Sequence, residues 1–378
     1  MPGKLLSFAL NRTLREIRHV TPVPPARATG QVAEVYADST ARFGMLAPPV
    51  ALHSPAPVPL AAAWLLLRET LVNPSSTPRA LKEEVAEAIS TTNSCPYCVS
   101  VHTLMHTAFT SAEAETDRTP GDPRGHAPGD AVGDAAGAET GRTPGDSRGH
   151  VAGDAVGGEA GVGAVAAWVR GAGPPPGADL AELLGVAFTF HYLNRMVSVF
   201  LPDSPLPSEV PSFAHGMMRG ILARLAVRAS PSPGGPALLP EAEHPADLVW
   251  AAPAPRVADA VARAVRAVGA EAETVLSPEA RALVEDQIAL RDAPPMPRSW
   301  AAEAVAQLPP TERPAARLAL LIALDAPRVT PADVTAPALP DHHLITLASW
   351  SSLTAARHHT TLLATTPEPT RPHPQTTT

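Results

Sequence analysis

Cysteine and aromatic residues are scarce in this chain of 378 residues, which has two cysteines and 4% aromatic residues. Two cysteines are too few for the disulfide framework of a small secreted domain. The low aromatic content disfavours a β-sandwich or barrel, because their strands are enriched in aromatic residues. The hydrophobic residues, 45% of the chain, are rich in Ala, Leu and Val. The composition therefore favours an all-α fold.

Dense basic segments and long apolar runs are also missing. The chain has 29 basic and 37 acidic residues, a net charge of −8, which argues against a nucleic-acid or anionic-membrane surface. No run approaches the roughly 18 apolar residues of a membrane-spanning helix. We expect a cytoplasmic protein that binds neither nucleic acid nor membrane and whose partners are small molecules or proteins.

The length suggests two domains, because domains commonly have about 100 to 200 residues. We place the first at residues 1–210 and a second helical domain at 211–364, followed by a disordered tail at 365–378 that is rich in Pro and Thr. The segment ETDRTPGDPRGHAPGDAVGD, which begins at Glu115, recurs with few changes 24 residues later. Because this duplicated sequence has almost no large apolar side chain, it predicts a disordered insertion at 114–160 rather than an ordered repeat array.

Outside the insertion, apolar residues recur at helical spacing, and turn-forming residues separate the segments. The predicted helices are 31–43, 61–72, 81–92, 95–109, 162–169, 179–200, 257–268, 278–290, 300–308, 313–324 and 344–363.

The two cysteines, Cys95 and Cys98, form a CxxC motif directly after Asn93 and Ser94. Asn and Ser are favoured helix N-caps, so the motif is predicted to lie in the first turn of a helix. The free N–H groups and the dipole at a helix start stabilise a thiolate. Residues three apart share a helix face, which places the two sulfurs within reach of a disulfide.

Two further residues are positioned to assist the thiols. His102 follows Cys98 by four residues, so its imidazole can take or hold the thiol proton. Glu83 lies 12 residues before Cys95 on the preceding predicted helix. Antiparallel packing of the two helices would bring its carboxylate to His102, although Glu84 and Glu87 are competing candidates. The predicted arrangement is a proton relay.

Residues 83–102 (EEVAEAISTTNSCPYCVSVH) combine these features at spacings that resemble the signature of the alkylhydroperoxidase/carboxymuconolactone decarboxylase (AhpD-like) family. The resemblance implies an all-α AhpD-like domain with the CxxC at a helix N-terminus. It also implies that Cys98 is the peroxidatic thiol, Cys95 the resolving thiol, His102 the base and Glu83 its partner.

By the same resemblance, the chain is expected to be a thiol-dependent alkyl hydroperoxide reductase without metal or organic cofactor. A lipoyl-type or thioredoxin-like disulfide reductant and a homo-oligomeric state are also implied. One alternative is a disulfide-exchange adaptor or redox sensor without peroxidase turnover. Another is a decarboxylase resembling the carboxymuconolactone branch, whose members lack the CxxC.

The C-terminal half carries a weaker resemblance. Residues 317–334 and 344–357 resemble the second half of an AhpD-like unit, so the domain at 211–364 is interpreted as a degenerate copy without thiol chemistry. The alternative is a helical region of independent origin. The helix containing residues 191–195 resembles the closing helix of the family, and Asn194 and Arg195 are expected to cap or pair at the domain interface.

A zinc site is a weaker interpretation of the CxxC and the nearby histidines. Cys95, Cys98, His102 and His106 share a helical face, but their span of about 16 Å prevents one helix from wrapping a single ion with all four. The pairs 342–343 and 358–359 lack a cysteine or a suitable carboxylate at ligand spacing. We expect both pairs on the surface.

Overall fold

The structure, a computed structural model, describes residues 13–116, 163–206, 234–291 and 297–366, together with Gly220 and Val227. Every regular element within them is a helix, which confirms the all-α class. The α-helices are α1 (Gly30–Phe43), α2 (Pro48–Ala51), α3 (Pro57–Leu67), α4 (Arg79–Thr92), α5 (Pro96–Thr116), α6 (Ala164–Val169), α7 (Leu180–Phe200), α8 (Pro255–Ala272), α9 (Pro278–Ala289), α10 (Ser299–Ala304), α11 (Arg313–Asp325), α12 (Pro331–Thr335) and α13 (Asp341–Ala364). A π-helical turn, Arg68–Val72, extends α3, and 3₁₀ turns lie at Leu14–Glu16, Pro25–Arg27, Ala246–Ala251 and Ala326–Arg328.

Side-chain N-caps mark the start of several helices. The side chain of Asp179 caps α7 by accepting from the Glu182 N–H, and Ser277 caps α9 in the same way. Thr330 and Asp333 form a reciprocal capping box at α12. Each cap satisfies N–H groups that the first turn of a helix leaves without partners.

Helix α5 is longer than predicted. It continues to Thr116, past the predicted end at residue 109 and three residues into the segment 114–160 predicted as a disordered insertion. The extension is rich in Ala and Glu, which favour helices. Residues 117–160, the predicted boundary at 210 and the tail from 367 lie outside the described residues.

The central element is α7, in which 18 of 21 residues are buried. The helix is long and apolar enough to cross a membrane by length and composition, and 94% of that stretch is buried inside the protein. A helix that is apolar on all sides is typical of a protein core. Helices α4, α5 and α13 pack against α7.

Both halves of the chain contribute to one continuous core, which extends from Leu14 to Leu363. Helix α13 lies along α7, and α8 packs on α3. At the contact between α7 and the C-terminal half, the Arg195 Nε donates to the Ala323 carbonyl at 2.8 Å. This bond confirms the expected pairing of Arg195 between the halves. The degenerate second copy stays a prediction.

Candidate active site

The CxxC lies where α4 turns into α5. These helices are antiparallel neighbours joined by residues 93–95, and the Cys95 N–H closes the turn by donating to the Ser90 carbonyl at 3.0 Å. Ser94 adopts a left-handed conformation with φ of 53°. The helix begins at Pro96, a favourable first residue because proline has no N–H to leave unpaired. The prediction that the CxxC occupies the first turn is confirmed, with Cys95 directly before Pro96.

The two thiols are buried and adjacent. Cys95 and Cys98 are free cysteines, 1% and 4% exposed, and their Sγ atoms lie 2.6 Å apart. A hydrogen bond from the Cys98 thiol lowers the pKa of Cys95. Burial raises the pKa of Cys98 well above its usual value. The hydrogen bond between the two sulfurs stabilises a single thiolate in the reduced pair.

The predicted contact between Glu83 and His102 is confirmed. The fully buried Glu83 carboxylate lies 2.6 Å from His102 Nδ1 through Oε2 and 2.7 Å from Arg79 Nη2 through Oε1. Burial alone would raise the pKa of Glu83, but Arg79 and His102 together hold it below its usual value. The carboxylate is therefore charged and fixes the orientation of the imidazole.

The competing carboxylates do not reach His102. Glu87 accepts from the Thr103 hydroxyl at 2.8 Å and faces His106 at 3.4 Å. Glu84 makes no hydrogen bond to His102, and it is half-buried, which raises its pKa. Of the three carboxylates, Glu83 is therefore the one that pairs with His102.

The direct contact expected between His102 and Cys98 is not formed. The hydrogen bond of Cys98 goes to Cys95, and His102 Nδ1 is engaged by Glu83. The imidazole packs edge-on against Phe190 of α7, with 4.3 Å between ring centroids. His102 remains one turn from Cys98 on α5, and its Nε2 atom carries no hydrogen bond to a described residue.

A polar cavity that sequence reasoning missed lies beside the start of α5. It is lined by Ser94 from the turn, by Asn194, Arg195 and Ser198 of α7, and by residues of the C-terminal half such as Trp300. The buried Ser198 hydroxyl has no hydrogen-bond partner among the described residues. Because the cavity forms between segments more than 100 residues apart, no local pattern indicates it.

His359 lies in this cavity, which corrects the expectation that the pair 358–359 is on the surface. Its ring stacks on that of His191 with 5.3 Å between centroids. Burial lowers the pKa of His359 to about 3. The surface prediction was wrong because the partner of His359 is distant in sequence. His342 is exposed, as expected.

No metal site is formed in the described part of the chain, where no three His, Cys, Asp or Glu side chains converge as ligands. In particular, His106 is directed to Glu87 rather than to the two cysteines. We assign no residue to a cofactor. The chemistry that the site offers is that of two thiols, an imidazole and a carboxylate.

Comparison with known proteins identifies the family of the chain. The chain is 35% identical over 362 residues to a protein named alkyl hydroperoxide reductase Rv2159c, from Mycobacterium tuberculosis, and the match covers 91% of this chain and 94% of that protein. No family model and no solved structure matches the chain. Identity at this level over nearly the full length of both proteins establishes common descent. The chain belongs to the AhpD-like alkyl hydroperoxide reductase family.

Proposed function

We propose that the protein reduces organic hydroperoxides through Cys95 and Cys98, with His102 and Glu83 as a proton relay. The observation that carries the proposal is the pair of sulfurs 2.6 Å apart at the start of α5, one turn before His102, which is paired with the buried Glu83 of α4. The name of the mycobacterial relative, alkyl hydroperoxide reductase, supports the same activity.

In the first step, Cys98 attacks the hydroperoxide. His102 accepts the Cys98 proton through Nε2, directly or through one water, while Glu83 holds the proton on Nδ1. The thiolate sulfur then bonds to the terminal peroxide oxygen and the O–O bond breaks. Cys98 becomes a sulfenic acid, and the released alkoxide takes the proton from His102 and leaves as an alcohol.

In the second step, Cys95 resolves the sulfenic acid. Its sulfur attacks Cys98 Sγ, the S–S bond forms and the S–O bond breaks, and the departing hydroxide takes the Cys95 proton and leaves as water. The two thiols lose two electrons in total, and one hydroperoxide is converted to alcohol and water. A dithiol of the lipoyl or thioredoxin-like class then reduces the disulfide.

Disulfide exchange is a second candidate function, and the lowered pKa of Cys95 favours it. A thiolate at the start of a helix is the group that attacks a partner disulfide in exchange reactions. In this alternative, Cys95 attacks the partner, and Cys98 resolves the mixed disulfide by attacking Cys95 Sγ.

Stopped-flow oxidation of the reduced protein separates the two functions. We expect cumene hydroperoxide to oxidise the protein with loss of two thiols per peroxide and formation of one alcohol. The double variant C95S/C98S is the control for reaction at other residues. If the wild-type protein leaves the peroxide intact but exchanges readily with oxidised lipoamide, the exchange function replaces the peroxidase.

A further inference from the structure

The cavity beside the start of α5 has a volume of about 670 Å³. This volume lies within the range of small-molecule sites. One wall is α7, with Asn194 and Arg195, and the opposite wall includes Trp300 and Leu324 of the C-terminal half. The cavity therefore has the size and the mixed polar and apolar lining of a ligand site.

Arg195 is a buried charge without an opposite charge. The side chain is 8% exposed and donates from Nε to the Ala323 carbonyl and from Nη1 to the His191 carbonyl at 2.6 Å. None of the described carboxylates pairs with it. Asp325 also lines the cavity but pairs with Arg328 at 2.7 Å. Because an uncompensated buried charge is costly, the cavity favours an anion.

The groups around Arg195 strengthen this preference. Burial lowers the pKa of Arg195 to about 10, so the guanidinium stays protonated at neutral pH. Burial also lowers the pKa values of His191 and His359, so both imidazoles are neutral there. Asn194 is fully buried, its Oδ1 accepts from Ser90, and its Nδ2 has no partner among the described residues. A guanidinium and a free amide N–H together suit a carboxylate.

The cavity also reaches the CxxC motif. Its lining includes Ser94, the residue directly before Cys95, and Ser198, which follows Arg195 by three residues on α7, a rise of roughly 4.5 Å. We propose that the cavity binds an organic hydroperoxide that carries a carboxylate, with the carboxylate at Arg195 and Asn194 and the O–O group at the CxxC. Trp300 and Leu324 contact its carbon chain. The hydroperoxide identity rests on the proposed function, whereas the carboxylate site does not.

Calorimetric titration of the reduced full-length protein tests the carboxylate site. The probes are hexanoate and hexanamide, which have the same chain but differ in charge. We expect hexanoate to bind at least ~10-fold more tightly, the equivalent of one charge-assisted interaction. Equal affinities, or no binding of hexanoate, would overturn the proposal without recourse to any variant.

Variants at two arginines of the cavity show which charge binds hexanoate. R195M should weaken hexanoate binding by at least ~10-fold, whereas R195K, which keeps the charge, should retain most of the affinity. The double variant D325N/R328M removes an ion pair of the same cavity without changing the net charge and should change the affinity by less than ~2-fold. Circular dichroism and thermal unfolding verify the fold of each variant. Equal losses in R195M and D325N/R328M would remove Arg195 from the site.

Kinetics with a hydroperoxy fatty acid and its methyl ester connect the cavity to turnover. We expect kcat/KM to be at least ~10-fold higher for the acid, and R195M to abolish this preference while R195K retains most of it. Equal values for acid and ester would overturn the substrate assignment. If no hydroperoxide is reduced but hexanoate still binds through Arg195, the proposed function fails and the carboxylate site stands.

Discussion

Two buried charges, Glu83 and Arg195, have contrasting surroundings. Glu83, between α4 and α5, has charged or chargeable partners within 2.8 Å on both carboxylate oxygens. Arg195, between α7 and the C-terminal half, has carbonyl oxygens as its partners and an open cavity beside it. The first charge is neutralised by the protein and holds the His102 imidazole in place. The charge of Arg195 is available to a ligand, and a bound anion would offset the free-energy cost of burying it.

The largest expected effect is on stability at Glu83. E83A leaves Arg79 and His102 without their buried acceptor and should lower the free energy of unfolding by about 3 kcal/mol, as measured by urea denaturation. E87A removes a carboxylate that is not fully buried from the same helix and should cost less than about 0.5 kcal/mol. Similar losses of unfolding free energy in both variants would mean that the contacts of Glu83 with Arg79 and His102 stabilise the fold no more than those of Glu87.

The next effect is on catalysis at His102. H102A should lower kcat/KM for cumene hydroperoxide about 10²-fold, because loss of a general base costs at least this much. The apparent pKa of the reactive thiol, from alkylation rate against pH, should move upward. H106A alters a half-exposed imidazole one turn further along α5 and serves as the control. An unchanged alkylation profile in H102A would leave the helix start as the activating group.

A smaller effect concerns the pH dependence of stability. The pKa of Glu83 is lower in the folded protein than in the unfolded chain, so its charge stabilises the fold above about pH 4.5 and less as pH falls. E83Q should therefore be less stable than wild type by about 1.5 kcal/mol at pH 7. Urea titrations at pH 7 and in acid should show this difference shrinking. A difference independent of pH would contradict the charged state of Glu83.

The smallest effect is expected at Arg195 without ligand. R195M leaves no unpaired opposite charge, because no described carboxylate pairs with Arg195. The loss of its hydrogen bonds is offset because the free-energy cost of burying the guanidinium is also removed. The free energy of unfolding should change by less than about 1 kcal/mol, against the large loss in E83A. A loss as large as that in E83A would show that Arg195 is neutralised within the protein, and the contrast would disappear.

The local part of the site was predictable from sequence. The offset between Glu83 and Cys95 and the short connection between two helices were sufficient to predict the contact with His102, because neighbouring helices joined by a short turn are antiparallel. The structure does not, however, contain a hydrogen bond between His102 and Cys98. Helical spacing gives proximity, but it does not decide which of several nearby groups takes each hydrogen bond.

The distant part of the site was not predictable. His359 is in a helix with mixed polar and apolar residues, and its ring stacks on that of His191, 168 residues earlier. The cavity around Arg195 likewise needs α7 and the C-terminal half to be packed together. Fold class and helix positions followed from composition and periodicity, whereas a cavity between two halves depends on tertiary packing, which single-sequence patterns do not encode.

The central claim is that Cys98 attacks the peroxide and Cys95 resolves it. Its most direct test is to treat C95S and C98S with one equivalent of cumene hydroperoxide in the presence of dimedone and to locate the adduct by mass spectrometry. We predict a dimedone adduct on Cys98 in C95S and none in C98S, because a sulfenic acid without its resolving thiol persists long enough to be trapped. An adduct on Cys95 in C98S, with none in C95S, would reverse the roles and contradict the mechanism.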